Sequence, residues 1–170
     1  MKGNIKTHKS FTILFVCSGN SCRSPMAEAL MKKILNEEKP QFPIKIRTAS
    51  CGTIALNNMP PSENAVKVLS EYGIDLTGHR TRRISKSAIK NADLILVMEK
   101  AHKEKILEIM PNAQTKTFLI SEFASGSSKE IVDPIGMSIN GYRNVANDLY
   151  DLLKKIYKKL LKQLNSTTKN

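Results

Sequence analysis

Apolar residues cluster first at 11–16 (FTILFV), a run that stops at a Gly-containing loop. Met26, Ala27, Leu30, Met31 and Ile34 then recur at helical spacing, which predicts a strand, a loop and a helix. Ser24 suits the N-cap of that helix and Pro25 its first residue. A second strand is expected at 44–50. Pro61 opens a helix through Ala65, Val66, Leu69 and Tyr72, which Gly73 closes. A short helix at 84–90 precedes DLILVM at 93–98, a continuous apolar run of the kind buried on both faces of a sheet. Residues 101–110 read as a helix stopped by Pro111, and 115–120 as a fourth strand. After a loop around Asp133-Pro134, a long last helix is expected from 142 to about 164. Strands alternating with helices predict one α/β domain, a four-stranded parallel sheet with helices on both faces. The domain is expected to span 10–164, with flexible ends at 1–9 and 165–170.

Composition adds little to the fold but narrows the function. A hydrophobic content of 41% and a charged content of 25% belong to an ordinary soluble globular protein. No run approaches the roughly 20 apolar residues of a membrane span. The lysine-bearing start leads into only the apolar run at 11–16, too short for a secretory signal. A cytoplasmic monomer without membrane attachment is expected.

The net charge of +12 admits nucleic acid, anionic surfaces or phosphorylated substrates as partners. Much of the excess lies in Lys154, Lys155, Lys158, Lys159, Lys162 and Lys169. These interleave with Leu152, Leu153, Ile156, Leu160 and Leu164 at helical spacing, so they read as a solvated face. No nucleic-acid motif accompanies them, and no nucleic-acid partner is expected. The three cysteines, Cys17, Cys22 and Cys51, are an odd number without an export signal, which argues against a disulfide framework. The C-x4-C spacing of Cys17 and Cys22 does not suit zinc, and no metal or other cofactor is expected.

The candidate chemistry sits in the loop after the first strand, Cys17-Ser18-Gly19-Asn20-Ser21-Cys22-Arg23. In parallel sheets ligands bind outside the carboxyl ends of strands, near a helix N-terminus. The dinucleotide-binding and P-loop NTPase signatures are both absent. A C-x5-R loop can wrap a phosphate so that backbone N–H groups point inward, while Arg23 adds a planar fork for two oxygens. Gly19 and Asn20 tolerate left-handed backbone. The same field should lower the pKa of Cys17 and make it a nucleophile, and the Ser24 hydroxyl can donate to its sulfur. A buried structural cysteine is the competing account.

These residues carry a resemblance. CSGNSCRSPMAEAL resembles the signature of the low-molecular-weight protein tyrosine phosphatase family. Ser50-Cys51-Gly52-Thr53 is similar to its S-A-G-T, with Cys51 where alanine is usual. Residues 78–82 (GHRTR) resemble its H-x-x-R segment, residues 92–98 its A-D-x-I-L-x-M strand, and Asp133-Pro134 its acid loop. The likeness covers about residues 11–160. It implies a protein phosphatase working through a phosphocysteine on Cys17, with Arg23 as oxyanion clamp. Asp133 would be the general acid and then the base for water. Ser24 would assist the leaving thiolate, and Asn20, Ser50 and His79 would brace the loop. Cys22 would trap an oxidised Cys17 as a disulfide.

Arsenate reductases share this loop but need further cysteines, and none follows Cys51. A phosphopeptide-binding module would keep Arg23 but have no need for Cys17, Ser24 or Asp133. Between substrates, the resemblance divides. Phosphotyrosine enzymes of the family commonly carry a bulky aliphatic residue where this chain has Ser21, and aromatics after Asp-Pro. The bacterial phosphoarginine branch has threonine at the Ser21 position and usually an aromatic at the Ile135 position. Ser21 therefore leans to phosphoarginine, Ile135 departs from that branch, and both are expected to set specificity.

Overall fold

A computed structural model describes residues 10–38 and 44–167. The end expected to be flexible at 1–9, and residues 168–170 of the other, lie outside the described residues. Four strands, β1 (Ser10–Cys17), β2 (Lys45–Gly52), β3 (Leu94–Val97) and β4 (Thr117–Leu119), pair in the order β2-β1-β3-β4, all parallel. Among the described residues six α-helices accompany them: α1 (Arg23–Glu38), α2 (Glu63–Glu71), α3 (Lys86–Asn91), α4 (Lys100–Ile109), α5 (Ile120–Ser125) and α6 (Ile139–Thr167). The expected fold class is the one observed.

The alternation of β1 sorts the core. Ile13, Phe15 and Cys17 face one layer, where Met26, Leu30, Leu69, Ile120, Leu149 and Leu153 bring in α1, α2, α5 and α6. Leu14 and Val16 face the other, with Ile89 of α3 and Ile106 of α4. Cys51 belongs to this second layer, across the sheet from Cys17 and Cys22. A strand with both faces buried must be apolar at every position, which is why β3 reads LILV and all four of its residues are buried.

Several boundaries differ from the sequence pattern. Helix α1 begins at Arg23, and its first backbone bond runs from Met26 N–H to the Cys22 carbonyl. Ser24 is therefore inside the first turn rather than at the N-cap, and its hydroxyl is used elsewhere. In α2 the cap is Ser62, which accepts from the Ala65 N–H, so Pro61 precedes the helix. Residues 115–116 belong to a 3-10 turn, and Ile120 opens α5, so β4 is shorter than expected. Helix α6 starts at Ile139 and continues through 165–167, residues expected to fray. Among the described residues, no helix is long and apolar enough to cross a membrane.

Candidate active site

β1 ends at Cys17, and the chain turns back on itself before α1 begins at Arg23. The turn depends on Asn20, whose φ of 56° is left-handed and whose side chain is wholly buried. Every polar atom of that side chain is occupied. Its Nδ2 donates to Ser24 Oγ at 2.9 Å and Ser50 Oγ at 3.0 Å, and its Oδ1 accepts the Arg82 N–H at 2.8 Å. Its carbonyl accepts from His79 Nε2 at 2.8 Å. Behind it, Ser50 donates to the buried Glu28 at 2.7 Å. Asn20, Ser50 and His79 thus brace the loop from the α1 side, with Glu28 as a further member.

Cys17 is 2% exposed. Its sulfur lies 2.9 Å from Ser24 Oγ and accepts the Asn20 N–H at 3.3 Å. Ser24 Oγ also donates to the Cys51 carbonyl at 3.3 Å. One hydroxyl proton cannot serve both acceptors at once. A protonated thiol can donate to Ser24 while Ser24 donates to Cys51; a thiolate draws the Ser24 proton to itself.

Burial pushes the Cys17 thiol above its ordinary value, and the Ser24 hydroxyl, the Ser24 N–H, the Arg23 charge and the Asn20 N–H pull against it. The net direction is upward, opposite to the expected lowering. Arg23 itself is 1% exposed and shared between two carboxylates. Its Nη1 contacts Glu99 and donates to the Ile131 carbonyl at 2.9 Å, while Nη2 donates to Asp133 at 3.0 Å and to Ser18 Oγ at 3.4 Å.

Cys17, Gly19, Ser21, Cys22, Arg23, Asp133 and Ile135 line one cleft. Asp133 is fixed by its own turn, Oδ1 accepting the Ile135 N–H at 3.2 Å. Cys22 Sγ donates to Ser62 Oγ at 3.3 Å and lies 3.5 Å from Tyr142 OH. All twelve residues singled out in the sequence therefore lie in the loop, in its bracing shell or at the rim. Glu99, His102, Glu28 and Gly52 join them unforeseen. Gly52 is required sterically: a Cβ there would stand 2.4 Å from the Ser18 carbonyl oxygen.

Low molecular weight phosphotyrosine protein phosphatase is the family whose profile matches, over residues 12–169. The chain belongs to this family. It is similar to the protein-arginine-phosphatase of Geobacillus stearothermophilus, 39% identical over 150 residues, 88% of this chain and 96% of that one. It is similar also to the low molecular weight protein-tyrosine-phosphatase Etp of Escherichia coli K12, 33% identical over 91% of this chain and 95% of Etp. Among solved structures, a cysteine-to-serine variant of the YwlE arginine phosphatase with a phosphorylated active-site serine matches with a TM-score of 0.81. It is 35% identical over 88% of this chain and 95% of the other. This phosphatase is accordingly a cysteine-dependent enzyme, with its phosphate loop following β1.

Proposed function

We propose that the protein hydrolyses phosphoarginine on protein substrates, with Cys17, Arg23 and Asp133 as its catalytic residues. The observation that carries the substrate assignment is the place of Ser21. Its small hydroxyl lines the same cleft as Cys17 and Asp133 and leans over Gly19, where a Cβ would come 3.6 Å from Ser21 Oγ. A polar rim offers partners to guanidinium N–H groups that an aliphatic side chain would leave unpaired. The relatives named protein-arginine-phosphatase, at 39% and 36% identity, support the same reading.

In the first half-reaction, the Cys17 thiolate attacks phosphorus from the floor of the loop. The S–P bond forms as the P–N bond breaks, and the three phosphoryl oxygens are held by loop N–H groups and Arg23. Asp133 gives its proton to the departing guanidine nitrogen, leaving free arginine on the protein. In the second, Asp133 takes a proton from water, whose oxygen attacks phosphorus. The S–P bond breaks, inorganic phosphate leaves, and Ser24 donates to the thiolate. Ser18 and Gly19 contribute to the phosphate cradle, and Asn20, Ser50 and His79 hold its shape. The partners are phosphorylated proteins.

One observation favours phosphotyrosine as a second reading. Ile135, 63% exposed at the rim, offers apolar surface to a phenol ring. Steady-state kcat/KM on a phosphoarginine peptide and a phosphotyrosine peptide of the same sequence decides between them. A phosphoarginine value at least about tenfold higher supports the proposal; the reverse order overturns it. Cys17→Ser should abolish turnover on both while still binding vanadate.

A further inference from the structure

His102 stands near the start of α4, is 3% exposed, and has no part in the scheme above. Its two ring nitrogens have different partners. Nδ1 accepts the Glu99 backbone N–H at 3.1 Å, so in the neutral ring the proton sits on Nε2. That Nε2–H then donates to Ser18 Oγ, 2.8 Å away and 84 residues back in sequence. The same oxygen accepts from Arg23 Nη2 at 3.4 Å, and a guanidinium can only donate. Two donors thus occupy both lone pairs of the hydroxyl. Its own proton remains available to an acceptor beside Arg23.

We infer that His102 is a positioning residue of this phosphatase, fixing Ser18 Oγ as a hydrogen-bond donor to a phosphoryl oxygen held by Arg23. The inference rests on the phosphatase reading with Arg23 as clamp. Capping α4 does not account for the arrangement, because Nδ1 alone satisfies the Glu99 N–H and the bond from Nε2 is separate. Charge agrees with the tautomer. Burial pushes His102 below the ordinary histidine value, with Arg23 acting the same way and Glu99, Asp133 and Glu130 acting against it. The ring is therefore neutral at pH 7. Protonation at lower pH would put a proton on Nδ1 facing the Glu99 N–H and break that bond.

The test is a double-mutant cycle with His102→Asn and Ser18→Ala. Asparagine keeps a carbonyl to accept the Glu99 N–H but is too short to reach Ser18. Each single variant should lose about tenfold in kcat/KM on a phosphoarginine peptide, the scale of one hydrogen bond to a charged group. The double variant should lose no more than either single one, because both remove the same donor. Nitrogen-15 spectra of the wild-type ring should show the proton on Nε2. Additive losses of about a hundredfold in the double variant, unchanged single variants, or a proton on Nδ1 would each overturn the inference. Should His102→Asn fail to fold, full activity in Ser18→Ala overturns it, and a tenfold loss with the Nε2–H tautomer supports it. A wild type with no thiol-dependent turnover would instead overturn the phosphatase reading itself, and this inference with it.

Discussion

Arg23 Nη2 lies 3.0 Å from Asp133 Oδ2, so the proposed phosphate clamp and the proposed acid are partners of each other in this structure. Glu99 and the Ile131 carbonyl hold the other terminal nitrogen. A phosphoryl group arriving on Arg23 competes with Asp133 for the Nη2 donors. Its binding therefore frees the carboxyl from the clamp to face the leaving atom.

This exchange gives Asp133→Asn a defined signature. Turnover on a phosphoarginine peptide should fall roughly 100- to 10,000-fold, the span of a lost general acid. On nitrophenyl phosphate, whose leaving group departs without a proton, the loss should be much smaller. Equal losses on both substrates would leave Asp133 only its hold on Arg23.

Gly52 offers a test of the loop's rigidity that touches no reacting group. A Cβ there would meet the Ser18 carbonyl at 2.4 Å and the Asn20 nitrogen at 2.9 Å, both backbone atoms that cannot swing aside. Gly52→Ala should cost about 1–3 kcal/mol of stability, the usual range for overpacking. It should also weaken vanadate binding, because the N–H groups that surround the anion are the atoms displaced. Urea unfolding and vanadate titration measure the two effects; unchanged values in both would mean that the loop has slack.

The bracing shell predicts how stability follows pH. Burial pushes His79 below the ordinary histidine value of 6.5, outweighing the Asn20 carbonyl and Glu28, which act upward. Between that depressed value and 6.5 the unfolded chain binds the proton and the folded chain does not. Stability contributed by the neutral ring is thus complete above pH 6.5 and lost as pH falls through that interval. Urea unfolding of the wild type should weaken from pH 7 to pH 5, and His79→Gln should flatten the slope. A slope the substitution leaves unchanged would assign the titration to His102, which burial also pushes down.

How much of this was legible in the sequence follows from where the chemistry lies along the chain. Residues 17–24 hold the proposed nucleophile, cradle, clamp and thiolate partner in one contiguous stretch beside a strand end, and such a stretch can be read directly. Glu99 and His102 reach it from 76 and 84 residues away, and nothing in their own segment marks them as functional. The available signal was position: they follow β3, and β3 is the neighbour of β1. Helix α5 was missed because its apolar start, Ile120, continues the run of β4 without a break. Helix α6 begins ahead of its first buried apolar residue, Tyr142, because the Ser138 carbonyl already accepts the Gly141 and Tyr142 N–H groups.

Ser21 is the position at which one substitution should change the preferred substrate. Its backbone carbonyl is held by the Ser62 N–H at 2.9 Å, so the side chain projects from a fixed point on the rim that also carries Asp133 and Ile135. A branched aliphatic there presses on a phenol ring and favours it by about 1–2 kcal/mol of apolar contact. The same group deprives a guanidinium of polar partners at the rim, at a cost of about 1–3 kcal/mol. Both effects act in one direction for Ser21→Ile. The ratio of phosphotyrosine to phosphoarginine kcat/KM should therefore rise about tenfold or more, while thermal unfolding moves little because Ser21 is only half-buried. A ratio that stays put would move the specificity determinant to Ile135, the other rim residue in reach of the atoms beyond phosphorus. Ile135→Phe, measured on the same two peptides, would then be the variant that shifts it.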